Sequence, residues 1–146
     1  MSTKEQENAA WIIVADRTNM ERCAKHGVFG LNAKGVLLQM RPGDALVGYI
    51  RGEKVFGALG EVTKPYFLDD EPLFEGGLYP DRVGIELKVF PSGQGLDVWS
   101  LIDDLAFASN KVNWWASFAG GIRRIPMADF EKIKAAFSSA SKLIPS

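Results

Sequence analysis

The stretch from Arg41 to Val62 constrains the fold more than any other part of the sequence. It predicts a hairpin of two apolar strands, at 45–50 and 55–62, joined by a turn at 51–54 and preceded by a Pro42-Gly43 turn. Glycines interrupt both strands, as is typical of a sheet that is buried on both faces and must curl or let another backbone approach closely. The hairpin therefore predicts a small, strongly bent sheet or barrel.

A strand and a helix are predicted ahead of this hairpin. The continuous apolar run at 11–15 is rich in β-branched residues, which indicates a central strand buried on both faces. Thr18 and Glu21 have the spacing of a capping box, so we expect a short helix that starts there and runs to about Lys25. Gly27 then stands where a helix takes a left-handed C-terminal residue.

The other predicted elements are short. They are extended backbone at 28–32, one or two helical turns at 33–40, an alternating strand at 81–90, a short strand with a helical turn at 96–107, and an amphipathic helix at 127–137.

These elements predict an α+β fold, namely a compact, strongly bent β-barrel flanked by short helices. A length of 146 residues suits a single domain with a core of its own. We expect a disordered arm at 1–9, one domain at 10–138 and a flexible tail at 139–146.

Charge and composition limit the possible partners. The formal net charge is −1, so nucleic-acid binding would require a local basic patch. The polar segment 1–8 lacks the apolar core of a signal peptide, and no run approaches the roughly 20 apolar residues of a membrane helix. We therefore expect a cytoplasmic protein with no membrane partner.

Residues able to carry catalysis are few. The chain has one cysteine, Cys23, and one histidine, His26, which rules out an internal disulfide and makes a zinc site unexpected. We interpret Cys23 as a buried structural thiol and His26 as a partner of the carbonyls at the end of its helix. We expect no catalytic residue, metal or cofactor, and a hydrolase that uses Asp16 with His26 stays open as a rival.

Aromatic residues offer better material for a binding site. The segment 63–80 contains four of them among three prolines, too many for a loop that merely faces water. Rings spread over several elements can form the walls of one pocket for a flat or cationic group, although core packing is the competing interpretation for each ring. Stacking faces at Asn113-Trp114-Trp115 lie near Lys111 and the Arg123-Arg124 pair in the sequence, a combination typical of a nucleic-acid edge or of a solvated surface.

Six segments, taken in their order and spacing, resemble the EVE-domain family. They are Trp11-Ile-Ile-Val-Ala15, Asp16-Arg-Thr-Asn19, Lys25-His-Gly-Val-Phe-Gly30, Arg41-Pro-Gly-Asp-Ala-Leu-Val-Gly-Tyr-Ile50, Gly60-Glu-Val62 and Tyr79-Pro-Asp-Arg-Val83. The resemblance covers about 11–133. It implies a PUA-like fold related to YTH domains, which read N6-methyladenine in RNA, and to PUA domains, which bind RNA.

The resemblance also implies site residues. Asn19 falls on the asparagine with which YTH domains contact the base, and Phe29 falls on the tryptophan that forms one wall of their methyl cage. For the EVE family, it implies recognition of a modified base in nucleic acid, with 5-methylcytosine-type marks as the leading candidates.

We therefore predict a non-catalytic module that captures a modified base of DNA or RNA in an aromatic pocket. The predicted pocket residues are Trp11, Asn19, Phe29, Asn32, Phe67, Phe74, Tyr79 and Trp114. The predicted phosphate contacts are Arg17, Lys111, Arg123 and Arg124. A pocket for a small metabolite is the alternative, which an acidic or neutral rim would favour and a basic rim would oppose.

Overall fold

The computed structural model describes residues 8–108 and 121–143. Its helices are α1 (Arg17–His26), α2 (Val98–Leu101) and α3 (Met127–Leu143), with 3-10 turns at Leu37–Gln39, Ile102–Asp104 and Ala106–Ala108. Its strands are β1 (Ala10–Ala15), β2 (Val28–Leu31), β3 (Ala45–Ile50), β4 (Val55–Leu68), β5 (Asp81–Val89), β6 (Leu96–Asp97) and β7 (Ile122–Ile125).

The strands of the described residues form one strongly curled sheet, a half-barrel in the order β2-β5-β4-β3-β1-β7, with β6 beside β4. This confirms the predicted α+β class with its bent sheet. β1 pairs in parallel with β3 and antiparallel with β7. All other pairings are antiparallel in the described part of the sheet.

Strand β1 is buried on both faces, as its apolar run predicts. Ile12 and Val14 point into a cluster that α2 and α3 cover with Val98 and Ile133. The alternate residues of β1 pack on the other face, where α1 contributes its buried residues. None of the helices in the described residues combines the length and the apolar character that crossing a bilayer requires.

Helix α1 begins earlier than predicted. Its N-cap is Asp16, whose side chain accepts a 2.8 Å hydrogen bond from the backbone N–H of Asn19. The predicted capping box at Thr18 is therefore wrong, because Thr18 already lies inside the helix and Glu21 pairs with Arg17 instead. The predicted C-terminus is confirmed: Gly27 is left-handed, with φ of 71°, and donates to the carbonyl of Cys23.

Two further boundaries differ from the prediction, and one strand was missed. Strand β4 continues to Leu68, so the irregular segment is 69–80 rather than 63–80. Helix α3 continues past 137 to Leu143, into the segment predicted as a flexible tail. Strand β7, with its two central arginines, was not predicted.

The end of the predicted arm is anchored. Asn8 donates from its amide to the Pro42 carbonyl and to Asp44, and the N–H of Ala9 also donates to Asp44. Residues 8 and 9 therefore belong to the folded unit, while 1–7 lie outside the described residues.

Candidate binding site

A cavity of about 80 Å³ lies where β1 ends and α1 begins. The parallel pairing of β1 and β3 places the ends of both strands at this edge, and the N–H of Arg51 donates to the carbonyl of Ala15 at 2.9 Å. In α/β sheets, ligands commonly bind at the carboxyl ends of parallel strands. The lining residues are Val14, Ala15, Asp16, Asn19, Cys23, Phe29, Gly30, Leu31, Arg51, Phe74, Tyr79 and Gly121.

Four predicted pocket residues meet at this cavity: Asn19 from α1, Phe29 from β2, and Phe74 and Tyr79 from the segment 69–80. Phe29 is 3% exposed and forms part of the core beneath the cavity. The rings of Phe74 and Tyr79 pack edge to face, with their centroids 6.0 Å apart. The cavity therefore has one polar side chain from α1 opposite aromatic walls.

The other predicted pocket residues do not line the cavity. Trp11 is only 1% exposed, lies in the core and donates from Nε1 to Asp44 at 2.9 Å. Asn32 is exposed just beyond the end of β2, and Phe67 lies on β4 opposite Arg82. Trp114 lies outside the described residues.

None of the predicted phosphate contacts within the described residues lines the cavity. Arg17 donates to both carboxylate oxygens of Glu53, at 2.6 and 2.9 Å. This bidentate contact raises the pKa of Arg17 and lowers that of Glu53. Arg123 lies over the ring of Phe107, and the exposed Arg124 borders a separate groove. Lys111 lies outside the described residues.

The side-chain amide of Asn19 is already engaged with the loop. Its Nδ2 donates to the carbonyl of Glu75, and its Oδ1 accepts from the N–H of Glu75, both at 2.8 Å. Arg22, one turn further along α1, donates to the carbonyl of Leu73 and pairs with the Glu75 carboxylate at 3.1 Å. Helix α1 therefore fixes the centre of the aromatic loop, which we define as residues 69–80.

Arg82 also holds the aromatic loop in place, a role that no sequence pattern indicated. Its side chain is fully buried, donates to the carbonyls of Glu71, Leu78 and Tyr79, and lies 3.4 Å from the carboxylate of Asp69. Its guanidinium also lies 5.3 Å from the centroid of the Phe74 ring. One buried arginine therefore fixes the loop backbone and one aromatic wall. Asp69 is thus ion-paired with a buried arginine.

The aromatic loop and strand β2 approach each other closely at Gly30. Tyr79 has a left-handed backbone, with φ of 49°, which is uncommon for a residue with a side chain. A Cβ atom at Gly30 would lie 3.0 Å from Cβ of Tyr79 and 3.1 Å from the Phe74 ring. Glycine at this position of β2 therefore lets the aromatic loop close onto the strand.

The groups that could carry catalysis are separated or unreactive. Burial raises the pKa of the Cys23 thiol to about 12, so it stays protonated at neutral pH. Asp16 and His26 flank and end a 10-residue helix and are separated by about 15 Å along its axis. Within 8–108 and 121–143, no three His, Cys, Asp or Glu side chains come together as a metal site would require.

Comparison with known proteins places the chain in a family. No protein-family model matches it. The UPF0310 protein PH1033 of Pyrococcus horikoshii is 33% identical in an alignment 142 residues long. The alignment covers 85% of this chain and 95% of that protein. The chain belongs to the UPF0310 family.

Solved structures share the fold of this UPF0310 protein at low sequence identity. The YTH domain of Zygosaccharomyces rouxii MRB1, solved in complex with N6-methyladenosine RNA, has a TM-score of 0.69 at 14% identity, covering 90% of this chain and 87% of that one. A hypothetical protein from Leishmania major has a TM-score of 0.68 at 12% identity, covering 93% and 98%. The YTH relation that the sequence implied is thus supported at the level of the fold.

Proposed function

We propose that this UPF0310 protein is a non-catalytic nucleic-acid-binding module that holds one unstacked, modified base of DNA or RNA in the cavity beside Asn19. One observation carries the proposal: Asn19 and the aromatic residues Phe29, Phe74 and Tyr79 converge on a single cavity. The likeness to a YTH domain solved with N6-methyladenosine RNA supports it, as does the resemblance to EVE domains with a PUA-like fold.

The site offers both kinds of contact that an unstacked base requires. A base taken out of its stack loses stacking and pairing worth a few kcal/mol, and aromatic faces and hydrogen bonds compensate for that loss. After its exchange with Glu75, the Asn19 amide retains one N–H donor and one acceptor lone pair. These two groups can face the hydrogen-bonding edge of a base.

Entry of a base requires the aromatic loop to move outward. The cavity of about 80 Å³ is smaller than the roughly 300–1,000 Å³ of ligand pockets in general. Three walls belong to α1, β1 and β2, whereas Phe74 and Tyr79 belong to the loop. Displacement of these two residues is the simplest way to enlarge the site.

A pocket for a free small ligand is the second candidate. The cavity is lined by both Asp16 and Arg51, so its lining has mixed rather than basic charge. Such a lining favours a small zwitterionic or neutral ligand over a long polyanion.

A binding titration separates the two candidates. Labelled oligonucleotides bearing cytosine, 5-methylcytosine, adenine or N6-methyladenine, as DNA and as RNA, are titrated at low and physiological salt. Tighter binding of one modified strand is the expected result, and Phe74→Ala weakens it while Asn32→Ala does not. If all strands bind equally and physiological salt abolishes their binding, the protein contacts only phosphates, and that result would contradict a base pocket. Binding of free nucleosides without strand binding would favour the second candidate.

A further inference from the structure

Arg51 is the one cationic residue among the described residues that line the cavity. It follows the last residue of β3, its side chain is exposed, and it reaches the cavity beside the N-cap of α1. Its backbone N–H is bound to the carbonyl of Ala15, which fixes the position of its Cα at the mouth. Its guanidinium has no ion pair within 4 Å among the described residues.

Neighbouring charges differ from Arg51 in this respect. Arg17, on the adjacent turn of α1, is held by Glu53 through two hydrogen bonds and also donates to the carbonyl of Phe90. Asp16 uses one carboxylate oxygen to cap α1 and is not paired with Arg51. Among the described residues, Arg51 is thus the one cation that lines the cavity, and it forms no ion pair there.

We propose that Arg51 binds a phosphate group next to the base that occupies the cavity. This inference rests on the proposed function and adds a phosphate subsite to it. A planar guanidinium presents paired N–H donors that match phosphate oxygens. A base held between α1 and the aromatic loop leaves its sugar and phosphate at the open mouth, where Arg51 lies.

The phosphate could belong to a nucleic-acid strand or to a free nucleotide. Both present the same oxygens to Arg51, so the ligand series includes a nucleoside, its 5′-monophosphate and an oligonucleotide that carries the same base. The oligonucleotide is the strand that the wild-type protein binds most tightly. Binding is measured between 50 and 200 mM salt.

Arg51→Gln is the test variant, and it retains the backbone N–H that bonds to Ala15. Removing one phosphate contact reduces the steepness with which log K falls against log salt, by about 0.7 to 0.9 in the magnitude of the slope. Across this fourfold salt range, the wild type therefore loses about 3-fold more affinity than the variant. Arg51→Lys keeps the charge and most of the slope. Lys25→Gln, at an exposed lysine that borders another groove, leaves the slope unchanged.

The ligand series decides the source of the phosphate and can overturn the inference. If Arg51→Gln loses affinity only for the oligonucleotide, the phosphate belongs to a nucleic-acid backbone. If the variant also loses affinity for the monophosphate, the phosphate can belong to a free nucleotide. An unchanged slope in Arg51→Gln, or an equal loss of nucleoside affinity, would overturn the phosphate role while the base pocket stands. A wild-type protein that binds none of the ligands would overturn the proposed function itself, before any variant is compared. Unchanged thermal melting shows that the variants are folded.

Discussion

Asn19 and Glu75 exchange two hydrogen bonds of 2.8 Å, one in each direction, between a side-chain amide and a peptide backbone. The partners are far apart in sequence, on α1 and on the aromatic loop. The polar residue that faces the cavity is therefore also the anchor of the loop that carries two aromatic walls. The lining of the cavity and the order of the loop are coupled at this position.

Removing the Asn19 amide should affect stability as well as binding. Asn19→Ala leaves the N–H and C=O of Glu75 without their partner, and each lost hydrogen bond costs about 0.5–1.5 kcal/mol. We expect the free energy of unfolding in urea to fall by about 1–3 kcal/mol. Affinity for the base should fall as well, because the aromatic walls lose their anchor.

A second asparagine provides the matched control. Asn32 is exposed, follows β2 and does not line the cavity. Asn32→Ala should change neither the free energy of unfolding nor the affinity. Equal stability of the Asn19 and Asn32 variants would show that the exchange with Glu75 contributes nothing measurable.

Arg82 should be among the most sensitive positions outside the apolar core. Arg82→Met leaves three loop carbonyls without their donor, and at about 0.5–1.5 kcal/mol for each lost hydrogen bond we expect a loss of about 1.5–4.5 kcal/mol. Urea unfolding measures the loss, and hydrogen exchange should show that amides of the aromatic loop lose protection first. Arg22→Gln removes a half-exposed ion pair on the same loop and should cost less than about 1 kcal/mol. Similar losses in both variants would contradict the organising role of Arg82.

Stability at low pH should depend on Asp44. Burial alone would raise the pKa of this carboxyl, but hydrogen bonds from Trp11, Arg41, Ala9 and Asn8 outweigh burial and hold the pKa below its usual value. A carboxyl with a lower pKa in the folded state stabilises the protein above its unfolded pKa of about 3.9. That contribution is lost as the pH falls through the folded pKa.

Asp44→Asn tests this dependence. The variant turns an amide donor toward groups that are themselves donors, so it should be less stable than the wild type at pH 7 by about 1–3 kcal/mol. The difference in the free energy of unfolding between the two proteins should narrow as the pH falls below about 4, because protonation of Asp44 then removes its stabilising contribution from the wild type. Urea unfolding at pH 3 to 7 measures both curves, and parallel curves would exclude Asp44 as the source.

Cys23 should be inert in the native protein. It is 2% exposed, and burial raises its pKa to about 12, so little thiolate is available at pH 8. We expect labelling by a thiol reagent to be slow in buffer and fast in denaturant. Because this is the single cysteine of the chain, the label reports one site. Rapid labelling of the native protein would show that the cavity opens far enough to expose Cys23.

Local patterns were sufficient to predict most of the sheet. The apolar run of β1, the hairpin of β3 and β4, and the alternation of β5 each carry their own signal, and the structure contains all three. Strand β7 lacks such a signal because its centre is Arg123-Arg124. Its strand conformation depends on pairing with β1, more than 100 residues earlier.

Only some residues of the candidate site could likewise be predicted from the sequence. Asn19 and Phe29 were predicted through a resemblance, and Phe74 and Tyr79 through an excess of rings in one loop. Arg82 lies in an alternating strand where a charged residue indicates a solvated face, and its burial depends on carbonyls of the loop that precedes it. No local pattern predicts that contact. Trp11 was misplaced because a ring in a core strand and a ring in a pocket have the same sequence signature.

The position of β1 between β3 and β7 also bears on synthesis at the ribosome. The parallel partner β3 emerges about 30 residues after β1, whereas β7 emerges some 110 residues after it, so one edge of β1 stays unpaired for most of translation. At about 5–20 residues per second, that interval lasts roughly 5 to 20 seconds. Until β7 is made, the nascent chain therefore has an unpaired edge on an apolar strand, the kind of edge that pairs readily with other chains.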